Sequence, residues 1–387
     1  MLERRLEPLQ SHWASLLATA AGVALAMLAC AGLFAWHGIA PGSAYLTLFS
    51  AAFTHVRGLG YSIVQATPLS LIALGTIVAW RTGFFYLGFE GCFVVGAAAG
   101  TAFGLQTVSG GALSTLPHWL AWPACFVISM LAGAAWAGLV GWLRARHDGS
   151  EVLMSLMTNY LALLLVQGLV SGPLRAPGGL PQSERLPESL WLPLLFDGSQ
   201  AHVGVFMALA AAVAAWLLLR KTPIGYEMIV AGLSQRAARY GGITVGRRLM
   251  QSAMLAGALG ALAGIVQVLG VQHRLIDGMS GGIGFIGIVV ALLARLQPLW
   301  VLPVALLYGG LNVGADAMQR ATGTPTSIVF ILQALIVLAV LASPTALRYR
   351  WRSGRPRPSA QVSDGAAPAD PMTGGAPAVP STGQTHG

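Results

Sequence analysis

Glu90 stands inside an apolar stretch of this 387-residue chain, in Gly83-Phe84-Phe85-Tyr86-Leu87-Gly88-Phe89-Glu90-Gly91. An ionised group at the centre of a bilayer costs about 2.5 to 3.5 kcal/mol on insertion scales, so an acid placed there needs partners or a task. Gly83, Gly88 and Gly91 weaken helix continuity around it, as in a broken or re-entrant segment buried within protein. Glu90 therefore reads in two ways: as a group shaping a translocation pathway, or as a structural carboxylate partnered by a nearby arginine such as Arg81. Asn159 and Tyr160 form the next polar group in the middle of a span, and read either as pathway-facing or as interhelical hydrogen-bonding residues. A third feature is the basic stretch 221–248. Thr222-Pro223-Ile224-Gly225 breaks a span, Tyr226 to Tyr240 follows as a short amphipathic helical segment, and Gly241-Gly242 stops it. A small basic helix of this kind suits docking into a groove on a cytoplasmic partner; the plainer reading is a basic connector that happens to be helical.

Reaction chemistry has no pattern here. There is no HExxH, no P-loop, no nucleophile elbow and no pair of intramembrane carboxylates, so no catalytic residue, metal site or cofactor is expected. Any hydrolysis of ATP would belong to another polypeptide. Cys30, Cys92 and Cys125 lie in apolar runs without metal-ligand spacing and read as small core residues.

The elements that must position these residues follow from composition. Hydrophobic residues make up 55% of the chain and charged ones 9%, with a mean hydropathy of +0.69. A soluble domain carries about 25% charged residues, so lipid must be the solvent. The net charge of +9 does not point to nucleic acid, because the basic residues fall in short loops rather than on one face. Apolar stretches long enough to cross a bilayer, or nearly so, run 13–36, 61–80, 84–105, 119–143, 152–171, 202–220, 249–271, 281–297, 299–316 and 326–343. The expected fold is an all-α, polytopic bundle of about ten spans. The first run exceeds the apolar core of a cleaved signal and is expected to stay as an anchor.

Arg4, Arg5, Arg81, Arg144, Arg146, Arg220, Lys221, Arg236, Arg239, Arg247, Arg248, Arg295 and the cluster Arg348 to Arg357 then fall on one side. Arg57, Arg175, Arg185, Arg274 and Arg320 fall on the other, which places both termini in the cytoplasm by the positive-inside rule. The organisation expected is a cytoplasmic segment 1–12, a membrane domain 13–343 with an external loop 172–201 and a cytoplasmic loop 221–248, and a tail 344–387 too rich in Pro, Gly, Ala and Ser to fold. The weakly apolar stretch 43–57 is expected at the outer interface. Gly96, Gly100 and Gly104, and again Gly260 and Gly264, put glycine on one helix face, where a neighbouring helix packs closely.

Several segments resemble one known family. They are Ala66-Thr67-Pro68-Leu69 leading to Arg81-Thr82-Gly83-Phe84, Gly88-Phe89-Glu90-Gly91, Glu151-Val152-Leu153-Met154 with Asn159-Tyr160, Gly172-Pro173-Leu174, Leu186-Pro187-Glu188-Ser189, Ala237 to Ile243 and Asp277 to Phe285. In colinear order over residues 60 to 343, they resemble the permease subunits of bacterial binding-protein-dependent ABC importers, in the branch of ribose, branched-chain amino acid and nucleoside systems. The likeness is greatest to the longer permease of nucleoside-type systems. The resemblance implies a subunit of the bacterial inner membrane that carries a nucleoside or a related small polar solute such as a simple sugar. It implies three partners besides lipid: a cytoplasmic ATPase subunit, a paralogous second permease and an extracytoplasmic solute-binding lipoprotein. Gly232, Ala237, Ala238, Arg239, Tyr240, Gly241 and Gly242 would couple to the ATPase, and Glu90, Asn159 and Tyr160 would border the pathway. Family members commonly show Asn where this chain has Tyr86, Ser150 and Ser234, and Gln where it has Cys92. The alternative class is an ion-coupled secondary transporter, which would need intramembrane acids to carry the coupling charge; Glu90 is the candidate.

Overall fold

The computed structural model describes residues 21–36, 38–107, 117–147, 149–196, 198–323 and 327–339. The expected segment 1–12, the start of the first span and the tail 344–387 lie outside them. The helices are α1 (Ala21–Trp36), α2 (Pro41–Phe53), α3 (Val56–Arg81), α4 (Phe89–Gln106), α5 (His118–His147), α6 (Glu151–Ser171), α7 (Gly204–Lys221), α8 (Pro223–Leu233), α9 (Gln235–Tyr240), α10 (Val245–Gln267), α11 (Ile283–Leu293), α12 (Val301–Thr322) and α13 (Ser327–Ala339). Among the described residues β-pairing is confined to three isolated bridges. The all-helical bundle is as expected. Six helices, α3, α5, α6, α7, α10 and α12, are long and apolar enough to cross a bilayer; α1 and α2, bent by 116°, make a seventh if counted as one span. Of the other stretches expected as spans, 281–297 and 326–343 hold the shorter helices α11 and α13, and 84–105 holds α4, which matches α7 in length. α4 has 18 residues with Glu90 in its first turn, and α11 has 11, which reaches only about 17 Å of a hydrocarbon core roughly 30 Å thick.

The centre of the bundle is α3, which packs against α7, α10, α11 and α12. Every residue from Ala66 to Ala79 is buried, as befits a helix apolar on all sides. Pro68 deprives it of one backbone donor. Within that stretch the hydroxyls stay internal: Thr67, Ser70 and Thr76 each donate to the carbonyl four residues back, at 2.8, 2.7 and 3.0 Å.

The glycine faces form a three-helix seam of α4, α10 and α5. A Cβ at Gly264 would overlap the carbonyl oxygen of Phe93, one at Gly96 would overlap Ala261, and Gly133 and Gly257 meet backbone to backbone. Ser129 Oγ bridges the seam by reaching Gly96 O at 2.7 Å and Ala261 O at 3.1 Å. The stretch 43–57 is largely α2, which buries Ala44, Leu48 and Ala52 where Gly310 and Gly314 of α12 leave room.

The loop 172–201, expected to be external, is a folded cap. Ser183, Leu186 and Leu192 donate their N–H groups to Leu275, His273 and Leu269 at 2.8, 2.8 and 3.0 Å, and buried Leu186 and Leu190 close over Gly104. At the opposite, basic end the expected single helix 226–240 is two. α8 begins at Thr222, whose Oγ1 accepts from Gly225 N, and α9 begins at Ser234, whose Oγ accepts from Ala237 N. A serine N-cap breaks the segment in the middle.

Gly264→Ala should therefore separate α4 from α10 and cost about 1–3 kcal/mol, read as a lower thermal midpoint in detergent. Gly168→Ala, where a Cβ meets nothing within 4 Å, should leave that midpoint unchanged. Equal midpoints for the two variants would contradict the seam.

Candidate functional site

Between α3 and α4 the chain is non-helical from Phe84 to Leu87, tightened by a bond from Tyr86 N to Phe84 O, with Phe84 and Tyr86 buried and Phe85 half-exposed, so its remaining backbone donors and acceptors need partners. α6 supplies them from three residues one turn apart. Glu151 Oε1 accepts from Phe85 N at 3.5 Å, Ser155 Oγ accepts from Leu87 N at 3.2 Å, and Asn159 Oδ1 accepts from Gly91 N at 2.8 Å. Asn159 Nδ2 also donates to Leu87 O at 2.9 Å. Asn159 thus serves both sides of the break and is 3% exposed. Glu151 is held in turn by Arg144 of α5 at 2.6 Å. Tyr160, one residue on, points away from this ladder and is 64% exposed on the outward face of α6.

Glu90 closes a second break. Its Oε1 accepts from Gly282 N at 3.0 Å and its Oε2 from Gly284 N at 2.7 Å. These are donors at the start of α11, where the helix dipole favours negative charge. Two backbone donors give this carboxyl group, 4% exposed, the partners that burial denies it from water. The approach requires glycine, because a Cβ at Gly284 would overlap Glu90. Gly281 and Gly282 turn the chain with positive φ angles of 52° and 83°. Arg81 is not the partner of Glu90. Its Nε and Nη2 donate to Leu296 O at 3.3 and 2.9 Å, just past the other end of α11. Leu296 and Arg295 have φ of 54° and 50°, a left-handed conformation costly for residues with side chains, and Arg81 ties that turn down.

Both ends of α11 are therefore held by one segment, residues 81–90. The same segment meets the basic loop directly, since a Cβ at Gly232 would overlap the Arg81 carbonyl oxygen and lie 3.0 Å from Gly83 N. Of the other residues expected to couple, Ala238 is buried, and Ala237, Arg239, Gly241 and Gly242 are exposed. Leu233 and Tyr240 stand 82% and 88% exposed at the two ends of this surface. Arg248 of α10 anchors α8 from below, with its Nε 2.7 Å from Glu227 Oε2.

The two departures beside Glu90 touch each other. Tyr86 Oη and Cys92 Sγ lie 3.0 Å apart, both fully buried among Phe84, Phe89 and Phe93. They belong to the packed core, not to an accessible pathway. Ser150 and Ser234 accept from N–H groups at the starts of α6 and α9, a capping role that asparagine fills equally well.

Glu90 and Asn159 were legible as polar groups inside apolar runs. Their partners were not. Gly282 and Gly284 lie almost two hundred residues from Glu90, whereas Glu151 and Ser155 carried a readable signal, the four-residue spacing to Asn159.

Residues 58–341 match the model of a family described as branched-chain amino acid transport system, permease component. The guanosine ABC transporter permease protein NupP of Bacillus subtilis is 34% identical over 81% of this chain and 88% of its own length. The glucose ABC transporter permease protein TsgB13 of Haloferax volcanii is 33% identical over 80% and 83%. A second guanosine permease protein of Bacillus subtilis, NupQ, is 26% identical over 73% and 89%. No solved structure matches the chain.

Replacing Glu90 separates its two bonds. Glu90→Gln keeps one acceptor and should lose about 1.5–3 kcal/mol, while Glu90→Ala leaves both glycine donors unpaired and should lose more. Thermal unfolding in detergent reads the order; a Glu90→Ala protein as stable as Glu90→Gln would contradict it.

Proposed function

The chain belongs to the branched-chain amino acid transport permease family, and from that premise we propose that it carries a nucleoside or a related polar solute such as a simple sugar inward. It is a multi-pass permease component of an ABC importer and not itself an enzyme; ATP is hydrolysed by a separate subunit. The solute class rests on relatives whose names specify the solute, guanosine for NupP and NupQ and glucose for TsgB13. That one organism holds two such permeases, both similar to this chain, supports a paralogous second permease as partner in a heterodimer. An extracytoplasmic solute-binding lipoprotein would deliver solute at the folded cap.

We place the basic end in the cytoplasm of a cell whose inner membrane the chain crosses ten times, with both termini inside. Arg81, Arg144, Arg220, Lys221, Arg247, Arg248 and Arg295 cluster there, and Arg175, Arg185 and Arg274 lie in the opposite cap. Two of the ten crossings are then broken ones, α4 completed by the non-helical residues 84–88 and α11 by residues 273–282. Half-helices whose N-termini meet within the bundle are a transporter's usual way to place polar groups at mid-depth.

The observation that carries the mechanism is the contact of Gly232 with Arg81 and Gly83, beneath the exposed Leu233 and Tyr240. An ATPase subunit gripping α8 and α9 at Gly232, Ala237, Ala238, Arg239, Tyr240, Gly241 and Gly242 pushes on segment 81–90. That segment holds α11 by both ends, so movement at the ATPase becomes movement of a half-helix beside the pathway. Glu90 and Asn159 set the half-helix ends that border the path, and Tyr160 is set apart from them on the outward side of α6.

Reversing the charge at the docking surface tests this. In vesicles without an ion gradient, the assembled transporter should accumulate guanosine on addition of ATP. Arg239→Glu should lower uptake at least about tenfold while ATP hydrolysis continues and the protein still inserts. Full uptake by that variant would refute the docking assignment, and uptake driven only by an ion gradient would refute the importer.

A further inference from the structure

The seam between α3, α7 and the start of α12 carries two cavities in line. At the basic end a cavity of about 210 Å3 is walled by Arg81, Trp216, Arg220, Gln297 and Trp300, and touches Ile229 of α8. Further along the same three helices a second cavity of about 330 Å3 is lined by Ile63, Ala66, Phe206, Leu209, Leu302 and Leu306, among others. Between them α7 turns Val213 and Leu217 outward, 41% and 43% exposed. The seam is thus basic at one end and apolar along the rest.

Its length and charge select an occupant. Arg220 to Phe206 is fourteen residues of a single helix, about 21 Å, which spans one leaflet of a hydrocarbon core roughly 30 Å thick. No aspartate or glutamate lines the basic cavity, and Arg220 has no ion pair among the described residues. Arg81 spends Nε and Nη2 on Leu296 O, which fixes its guanidinium at the cavity wall with Nη1 still to donate. Trp216 and Trp300 sit at the depth of these arginines, as aromatic residues do at a membrane interface. Basic pockets between helices on this side of a membrane suit anionic headgroups.

We infer that this seam holds one anionic phospholipid, its phosphate between Arg81 and Arg220 and an acyl chain along the apolar cavity. Because the headgroup cavity touches α8, the bound lipid braces the ATPase-docking helices against α7 and α12. The site is independent of which solute is carried.

The full-length protein, purified with its partner subunits from vesicles of equal phosphatidylglycerol and phosphatidylcholine, tests this by mass spectrometry of the lipid it retains. Phosphatidylglycerol should be enriched to about one molecule per chain, and Arg220→Gln should lower its retention about fivefold. Lys221→Gln, a neighbouring charge outside the cavity, should change it less than about twofold, and millimolar inorganic phosphate should leave the lipid in place. Equal retention of the two lipids, or equal losses in the two variants, would show only diffuse attraction and overturn the site. Displacement by inorganic phosphate alone would make it a free-anion site and overturn the lipid.

Discussion

A polar backbone inside a membrane protein must find its hydrogen bonds within the protein, and this bundle breaks two helices where water cannot help. Glu90 meets that constraint for α11 by accepting from Gly282 and Gly284; Asn159, Ser155 and Glu151 meet it for the non-helical approach to α4. The two solutions share one segment. Glu90 stands in the first turn of α4 while its carboxylate faces the first turn of α11, so the start of α11 is satisfied only where the two half-helices come together. The charge that would be costly alone becomes the tie between them.

The same economy governs movement. Segment 81–90 is attached to α11 at Glu90 and at Arg81, to α6 through the side-chain ladder, and to α8 through Gly232. Each attachment is short and backbone-directed, which resists stretching better than contacts between long side chains. The left-handed Arg295 and Leu296 persist because Arg81 holds the turn from the side. Force applied at the exposed Leu233 and Tyr240 therefore has a stiff route to the interior, consistent with energy supplied by a separate ATPase.

Much of this was legible from residues alone. The excess of apolar residues announced a helical bundle, and the four-residue glycine spacings announced the α4–α10 seam, because both depend on periodicity within one helix. Glu90 and Asn159 stood out because polarity inside an apolar run is itself a signal. The partner of Glu90 did not stand out: Arg81 was near in sequence, but the donors that satisfy the carboxylate are backbone groups of a glycine run, and backbone groups leave no trace in composition. Where an apolar run breaks was hidden for the same reason. An apolar run such as 281–297 has the composition of a crossing, whereas where its helix starts is set by Glu90, nearly two hundred residues away. The split of α8 from α9 is readable in Ser234, a capping residue inside a helical pattern.

The most direct measurement is the distance between spin labels at Tyr226 on α8 and Phe285 on α11, both partly or largely exposed, in the assembled transporter before and after ATP binding. If Glu90 and segment 81–90 join these helices into one body, the distance distribution stays the same in the two states, and it broadens once Glu90 is replaced by alanine. A distance that shifts on ATP binding while Glu90 is intact would contradict the rigid link, and with it the route from the ATPase to the pathway.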